Sequence, residues 1–524
     1  MVTASELPIN TGASAIQMAE TIFGDSVQVV SASYTGDSRA SGIYSDGLTT
    51  TAGVAPSDTG VILSTGQAQA FTNSYGQSNW YSNTTTSNRG PNNNSEFNAA
   101  AGAKTYDASF MDVDFIPTGD VLTMQFVFAS EEYPEYQNSL YQDFVGVWVN
   151  GVQVEVEIGD GDIDPRNLND TSNENLYVSN TNDQYNTEMD GFTVTMTLTL
   201  PVNAGQVNSL RIGVADVLDS RYDSNLLIAG DSVQTSVVAL QDVVDLYSTG
   251  SKTIDVLAND ENSTGGTLTV THINGISVSA GDTVTLKTGQ QITLNADGTM
   301  TVVGDGDEET INYTYSVASS TGQTDTGFVT VNSVPCFVAG TMVETPDGPR
   351  PVHKLQPGDL VTTRDHGPQP VRWIGQRSVP ATGDLAPVRI AGGALGDHDT
   401  IMVSPQHRVL VQDIMAHLLF DEPEVLAAAK HLVNDQSIRV VEGGMVQYVH
   451  ILFDQHEIIR ANGLLSESFL PGAQINTLFE TETVSEIVSI FPELDPETGD
   501  GYGPAARRIL RGHEAALLTG EGAA

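Results

Sequence analysis

The sequence predicts a mainly β, multidomain protein of 524 residues. Glycine is abundant at 50 residues, charged residues make up only 17%, and Thr, Asn, Ser and Val dominate long tracts. This composition favours short strands and turns over helices. A chain of this length forms roughly two to four domains, each large enough to bury a core. We therefore expect several β-rich domains in series.

Negative charge is concentrated in the front of the chain. Residues 1–335 carry 8 Lys+Arg against 41 Asp+Glu, and residues 336–524 carry 13 against 25, which gives net charges of -33 and -12. Repulsion from phosphates argues against a nucleic-acid partner. The acidity indicates either a solvated surface or Ca²⁺ bound to the acidic N-terminal modules, since Asp and Asn oxygens are ligands of that ion.

Other features of composition bear on location and chemistry. Only His272 precedes Cys336, and the other nine histidines follow it, which places groups that titrate near neutral pH in the back of the chain. No run of about 18 apolar residues predicts a transmembrane segment. The first residues lack the basic and apolar regions of a cleaved Sec signal. The chain is nearly free of Cys, Lys and Arg and rich in Gly, Asn, Asp and Thr, which is typical of bacterial secreted proteins. We therefore expect a protein that is secreted or on the cell surface, without a cleavable Sec signal.

The first elements follow from periodicity. Apolar residues at helical spacing predict a short helix between Gly12 and Gly24 that is capped by Ser14. Strands are predicted at 27–34 and 60–66, followed by a polar loop over 71–98. Alternating apolar residues over 108–150 predict three strands of one sheet with one buried face.

The residues FVFASEEY, with the following Asp143-Phe144 and Gly151, resemble the choice-of-anchor L domain of bacterial surface proteins. The resemblance covers about residues 10 to 235, so we assign a β-sandwich-like domain to 1–237. The family implies attachment to a cell surface and no reaction. Within it, Glu131, Glu132 and Glu135 form an acidic cluster that would suit a cation, a pair of acid/base carboxylates or a structural turn.

A second domain is predicted over 238–333 from short alternating strands at regular spacing. Its segments DVLAND, NADGT and YTYSV resemble the cadherin-like or immunoglobulin-like repeats of bacterial adhesins. The resemblance implies a β-sandwich spacer, with calcium at Asp255 and Asp260 as an open alternative.

Cys336 is the only cysteine and lies in the stretch VPCFVAGTMV. It cannot form an internal disulfide, so it is a small buried apolar residue, a partner for another molecule or a nucleophile. Short strands with tight turns follow it, and helical spacing predicts one helix over 423–434.

Three segments after the second domain form a pattern. They are CFVAGTMVET, the run from Ser404 to His407, and the stretch from 448 to 468 that contains His456. Together they resemble the Hint domain shared by hedgehog autoprocessing domains and inteins, which implies an all-β horseshoe with minor helices over 334–480. A tail over 481–524 is predicted to contain a helix at about 504–518.

The resemblance implies that the chain breaks itself once at Pro335–Cys336 without a cofactor. Cys336 would attack the carbonyl of Pro335 to form a thioester. His407 would contact the amide nitrogen and supply its proton, and Ser404 would orient the loop or the oxyanion. His456 would assist the second step. His450 and Asp454 are weaker candidates for activating the incoming nucleophile, and a structural role is favoured for both.

Inteins end in a His-Asn pair. At the corresponding place this chain has Ser466-Glu467-Ser468, so it departs from the intein pattern. Splicing should therefore fail, and the expected outcome is release or transfer of residues 1–335 to water or another acceptor nucleophile. The alternative is a non-enzymatic acidic adhesin with an inactive Hint domain, which binds calcium and a cell-surface ligand.

Overall fold

The computed structural model describes residues 2–137, 139, 141–154, 162–246, 251–305, 311–332, 336–381, 386–412, 416–417, 420, 422–434, 436–470, 491, 502–503, 505–510 and 515. The chain forms two compact units. The first contains Met1–Asp242, Thr253–Thr301 and Ile311–Thr330, and the second contains Val243–Lys252, Val302–Thr310 and Val331–Ala524. The expected mainly β, multi-sheet fold is confirmed. Within the described ranges, no helix is long and apolar enough to cross a membrane.

The front of the first unit is a sandwich of two antiparallel sheets. One has eight strands, with Met196–Pro201 branching from Val121–Ser130 and the other seven in the order Ile9–Asn10, Ser41–Tyr44, Gly60–Ser64, Ser224–Ala229, Val121–Ser130, Gly191–Thr193 and Tyr177–Ser179. The other has five, in the order Val27–Thr35, Thr105–Pro117, Asn208–Val217, Phe144–Val149 and Val152–Gln153. Apolar residues of both sheets share one core. The sheets therefore pack face to face.

The predicted first helix is confirmed at Ala15–Ile22. Ser14 accepts a hydrogen bond from the backbone of Gln17, and the Gln17 side chain accepts one from the backbone of Ser14, which makes a capping box. The loop predicted over 71–98 is interrupted at its end by the helix Ser95–Ala101, which is capped by Asn94. Short helical segments complete this part: Gly47–Thr50, Ala68–Phe71 and Glu174–Leu176.

The prediction of a single sheet over 108–150 is wrong. Thr105–Pro117 and Phe144–Val149 belong to the five-stranded sheet, whereas Val121–Ser130 belongs to the eight-stranded one. The last nine residues of Val121–Ser130 are all buried, so this strand is covered on both faces. Alternation along the sequence could not reveal this, because consecutive strands of a sandwich can switch sheets.

The rest of the first unit and the segments at its boundary are also built from short strands. Leu268–Ile273 pairs with Ile311–Ser319 and with Ile276–Ser277, and Thr283–Thr285 pairs with Gln291–Leu294. Val237–Val238 pairs with Glu261–Asn262. Further strands are Asp242–Asp245, Ser251–Ile254, Met300–Val303 and Thr324–Asn332.

The second unit is built around two sheets with a common core. The six-stranded sheet has the order Trp373–Pro380, Met445–Leu452, Phe337–Val338, Ile401–Val403, Val388–Ile390 and Ile438–Val440. Seven strands of the nine-stranded sheet follow the order Arg350–Pro351, Met342–Val343, Ile458–Ala461, Leu464–Glu467, Arg408–Val411, Val425–Ala428 and Arg508–Ile509. Leu360–Thr363 pairs with Ile458–Ala461 and with Gly367–Pro370, which completes it.

The helix predicted over 423–434 is wrong. Val425–Ala428 is a strand between Arg408–Val411 and Arg508–Ile509, and Ala429–Leu432 is one 3₁₀ turn. All four strand residues are buried, and a short apolar run of this kind has no periodicity that separates helix from strand. Val352–Lys354 is a further 3₁₀ turn.

Most of the predicted tail helix at 504–518 lies outside the described residues. Within that range Arg508–Ile509 forms a strand. The predicted boundary at 334 also falls outside the described residues.

Candidate functional site

The register of three neighbouring strands brings Cys336 to two other polar residues. Phe337 is paired with Val403 on one side and with Val449 on the other, both antiparallel. In an antiparallel pair, the residue before one partner faces the residue after the other. Cys336 is therefore placed opposite Ser404 and opposite His450, although these residues are far apart in sequence.

Cys336 is 4% exposed and contacts both neighbours. Its sulfur lies 3.3 Å from Nε2 of His450. Its backbone N–H donates to Oγ of Ser404 at 2.7 Å, and its carbonyl accepts from the Ser404 N–H at 2.9 Å. The site thus combines a thiol, an imidazole within reach of its proton and a hydroxyl on the amide nitrogen of Cys336.

Ser404 begins a tight turn that ends at His407. The N–H of His407 donates to the carbonyl of Ser404 at 3.1 Å, and Pro405 occupies the second position, where its fixed φ suits a β-turn. The turn joins the strands Ile401–Val403 and Arg408–Val411, so Ser404 belongs to one sheet and His407 lies at the start of a strand of the other.

The His407 ring is buried, at 2% exposure, and packs on Phe337 with ring centroids 4.3 Å apart. Neither ring nitrogen has a hydrogen-bond partner among the described residues. Burial lowers the pKa of His407 to about 4, against the opposing attraction of Glu467. The ring is therefore neutral near pH 7, with both nitrogens open to a further group.

The structure adds Glu467, which the sequence analysis did not identify as a site residue. Burial raises the pKa of this carboxyl, but Arg408 and His456 outweigh burial and bring the pKa down to about 2. The carboxylate accepts from the Arg408 N–H at 2.9 Å and from the Arg408 guanidinium at 3.2 Å. A Glu at the end of the buried strand LLSE, and an Arg directly after His407, were the available signals.

His456 is placed beside Glu467 and not beside Cys336. Its Nδ1 accepts from the N–H of Ala506 at 3.0 Å, so Nε2 carries the hydrogen. Nε2 lies 3.2 Å from the carbonyl of Ser468 and 3.4 Å from Glu467. Both ring nitrogens are therefore engaged in holding Glu467 and the chain that follows it.

Asp454 lies at the surface, where its side chain is 51% exposed. It accepts two hydrogen bonds from the Arg372 guanidinium, at 2.8 and 2.7 Å. An exposed ion pair of this kind contributes little to stability. Of the six predicted catalytic residues, the structure thus groups Cys336, Ser404 and His450, places His407 on the adjoining turn, and puts His456 with Glu467.

Pro335, the predicted acyl donor, lies outside the described residues, as does Val334. The geometry of the site accordingly begins at the nitrogen of Cys336.

The acidic cluster of the first unit is a second polar centre. Glu131 and Glu132 are buried directly after the strand Val121–Ser130, whereas Glu135 is exposed. Burial, reinforced by Asp190, raises the pKa of Glu131 to about 9. Burial and the neighbouring Asp143 raise the pKa of Glu132 to about 10.

Two parts of the chain match known families. Residues 335–473 match the Hint domain, and residues 8–234 match the choice-of-anchor L domain. The two resemblances noted in the sequence are thereby confirmed. The cadherin-like or immunoglobulin-like assignment of 238–333 stays a prediction.

Solved structures of inteins are also similar to part of the chain. The gp41-1 intein is 16% identical over 25% of this chain and 97% of its own, with a TM-score of 0.17. A bacterial intein-like domain from Clostridium thermocellum is 16% identical over 25% of this chain and 97% of its own, with a TM-score of 0.20. No curated protein matches the chain significantly.

Proposed function

We propose that the Hint domain of this chain cleaves its own peptide bond at Pro335–Cys336 through an N-to-S acyl shift, and that it releases or transfers residues 1–335 without splicing. The proposal rests on the surroundings of Cys336. Its sulfur lies 3.3 Å from Nε2 of His450, and its amide N–H donates to Oγ of Ser404 at 2.7 Å. The match of 335–473 to the Hint domain supports it.

The first step needs a base for the thiol. His450 takes the proton from Cys336, and the thiolate forms a bond to the carbonyl carbon of Pro335. This gives a tetrahedral intermediate with a negative charge on the carbonyl oxygen. When the intermediate collapses, the C–N bond breaks and the acyl group is left on sulfur as a thioester. No oxidation or reduction occurs.

The second requirement is a proton for the departing amine of Cys336. Ser404 accepts the N–H of this amide and orients the nitrogen. His407, one turn away, supplies the proton. Because the pKa of His407 is about 4, only about one ring in a thousand is protonated at pH 7, which makes cleavage slow at that pH. Pro335 slows it further, because its ring restricts the donor's backbone.

The thioester is then opened by water or by another nucleophile, which takes the acyl group and returns the thiol to Cys336. Glu467 and His456 act as positioning residues, because they hold Arg408 and the end of the turn next to His407. No cofactor is required. The sequence at 466–468 lacks the His-Asn pair with which an intein completes splicing, so residues 1–335 are not joined to a segment downstream of the Hint domain.

The two family matches together support a bacterial surface or secreted protein, in which a choice-of-anchor L module is the released part. Its ligand on the surface is a partner still to be identified.

The test uses the full-length chain with and without dithiothreitol, beside Cys336→Ala and Cys336→Ser, with fragments weighed by mass spectrometry. Wild type should yield two fragments that separate at Pro335–Cys336, and the thiol should accelerate their appearance because it opens the thioester. Cys336→Ala should stay intact. Cys336→Ser is the matched control, because its hydroxyl occupies the same place and is a far weaker nucleophile at neutral pH.

The fragment masses also identify the acceptor. A free carboxylic acid at Pro335 indicates water, and an added dithiothreitol mass indicates thiol capture. If wild type and Cys336→Ala remain equally intact with thiol from acid to alkaline pH, the self-cleavage proposal is rejected and the inactive-adhesin alternative is favoured.

A further inference from the structure

Residues beyond the part of the chain that matches the Hint domain pack on the second unit near the candidate site. The match ends at residue 473, whereas Tyr502 and Leu510 are buried, at 5% and 3% exposure. Leu510 belongs to the core that the two sheets of this unit share. We call residues 502, 503 and 505–510 the distal segment.

The distal segment adds a strand to the nine-stranded sheet. Arg508–Ile509 pairs in parallel with Val425–Ala428, which lies beside Arg408–Val411. The N–H of Leu510 also donates to a carbonyl of Val425–Ala428, at 2.8 Å. Because Arg408–Val411 begins directly after His407, main-chain pairing fixes the distal segment one strand away from the chain that carries His407.

Arg507 ties the distal segment to two carboxylates. Its guanidinium donates to Asp365 at 3.1 and 2.9 Å, and its Nε donates to Glu424 at 2.8 Å. The side chains of Arg507 and Glu424 are only 22% and 13% exposed, so solvent and salt screen this pair less than a fully exposed one. Glu424 directly precedes Val425–Ala428, so the ion pair and the strand pairing hold the distal segment at the same place.

Two contacts of the distal segment reach His456 and the chain just before it. The Ala506 N–H donates to Nδ1 of His456 at 3.0 Å. The Tyr502 hydroxyl donates to the carbonyl of Phe453 at 2.8 Å. A ring nitrogen that accepts a hydrogen bond carries no hydrogen, so the hydrogen of His456 is on Nε2, which lies 3.4 Å from the Glu467 carboxylate. The Ala506 N–H thereby selects the tautomer that donates towards Glu467.

We propose that the distal segment is a positioning element of the self-cleavage site, and that the Ala506 N–H holds His456 in the tautomer that donates to Glu467. Glu467 accepts from the Arg408 N–H at 2.9 Å, so a series of hydrogen bonds runs from the distal segment to the residue next to His407. Residues 335–473 alone therefore lack a part of the site. The effect on cleavage rests on the proposed function, whereas the tautomer of His456 does not.

The first test follows the His456 ring in the full-length chain that carries Cys336→Ala and ¹⁵N-labelled histidine. Ala506→Pro removes the N–H that donates to Nδ1, and Ala506→Gly is the matched control because it keeps this N–H. Long-range ¹H–¹⁵N correlation spectra, assigned with His456→Gln, should show a hydrogen-bonded Nδ1 without hydrogen in the parent and in Ala506→Gly. The Nδ1 signal should shift in Ala506→Pro. Identical His456 signals in both variants would overturn the proposal.

The second test measures cleavage by dithiothreitol in chains that keep Cys336, with fragments weighed by mass spectrometry. Ala506→Pro should cleave about tenfold more slowly than Ala506→Gly, because the residues around His407 are no longer held in place. Equal rates would overturn the positioning role. If the wild type does not cleave, the self-cleavage proposal is rejected by that result, and the spectra alone decide whether the distal segment holds His456.

Arg507→Gln provides an independent check if Ala506→Pro fails to fold. It keeps every backbone N–H and removes the ion pairs to Asp365 and Glu424, so cleavage should slow by about threefold or more and the Nδ1 signal of His456 should shift. Arg439→Gln is the matched control, because it removes the same charge from an exposed position on Ile438–Val440. It should leave both readouts as in the parent. Equal rates and equal His456 signals in the two variants would overturn the proposal.

Discussion

Two buried residues of the candidate site, His407 and Glu467, have pKa values that are shifted by different surroundings. His407 and Glu467 lie in the same part of the second unit, yet burial lowers the pKa of the imidazole to about 4, while Arg408 and His456 bring that of the carboxyl to about 2 despite burial. The difference arises because Glu467 is compensated by two hydrogen bonds from Arg408, whereas no hydrogen bond to the ring compensates the His407 cation. His407 is thus kept neutral at the pH at which most proteins work.

This arrangement predicts how stability depends on pH. The unfolded chain binds a proton at His407 near pH 6.5 and the folded chain only near pH 4, so the folded state loses stability as pH falls through this window. Between pH 7.5 and 4.5 the loss from this residue should be about 2.5 kcal/mol. Urea unfolding of the Cys336→Ala chain, with and without His407→Gln, measures it.

His407→Gln removes the titrating group, so its unfolding free energy should fall less steeply over the same pH range. Equal pH dependence in both chains would contradict a neutral, buried His407.

The turn Ser404–His407 is the structural connection between Cys336 and His407. It leaves one sheet at Ser404, which binds both backbone polar groups of Cys336, and enters the other at Arg408. The strand Phe337–Val338 between Ile401–Val403 and Met445–Leu452 adds His450 to the same place. Strand register, and not nearness in sequence, therefore assembles the site.

Ser404→Ala tests the role of this turn. The substitution leaves the buried N–H of Cys336 without its acceptor, which should cost about 1 to 3 kcal/mol in unfolding free energy. Thiol-induced cleavage should slow by about 10²-fold, because the scissile nitrogen is no longer oriented. The rate is measured by mass spectrometry and the stability by urea unfolding.

Ser404→Thr is the control, because it retains the hydroxyl at the same position. It should keep cleavage within about tenfold of wild type. If Ser404→Ala cleaves as fast as Ser404→Thr, the hydroxyl has no part in the reaction.

The sequence predicted some elements well and others badly, for identifiable reasons. The helix Ala15–Ile22 was predictable because its cap and apolar spacing are local signals. The strand Val425–Ala428 was not, because burial on all sides removes the polar face that distinguishes helix from strand. The residues of the site divide in the same way. Cys336 and His407 could be identified from their motifs, whereas Glu467 could be identified only from its contacts with Arg408 and His456.

Polar as well as apolar contacts hold the first unit together. Asp325, on the strand Thr324–Asn332, is fully buried and accepts from the N–H of Ala239 at 2.9 Å and from Thr197 Oγ1 at 3.2 Å. Burial raises the pKa of Asp325 to about 7. This carboxyl links the strand Met196–Pro201 of the sandwich to the segment that follows it in the chain.

Asp325→Ala should destabilise the first unit by about 3 kcal/mol, because it leaves buried donors without an acceptor. Differential scanning calorimetry should show the corresponding transition several °C lower, by roughly 2–4 °C per kcal/mol. Asp297→Ala, at an exposed turn of the same unit, is the control and should leave Tm nearly unchanged. Equal Tm values for both variants would contradict a linking role of Asp325.

Composition, charge and local motifs are properties of the chain, so they could be read without the fold: the protein is mainly β, it is strongly acidic at its front, and its one thiol lies in a Hint-like pattern. The contacts between polar groups could not be read from the chain and depend on its fold. The fold places Cys336 against Ser404 and His450, and His456 against Glu467. The physical reason is that strand pairing and burial act between residues far apart in sequence, and both the proton affinity and the partners of a side chain depend on them.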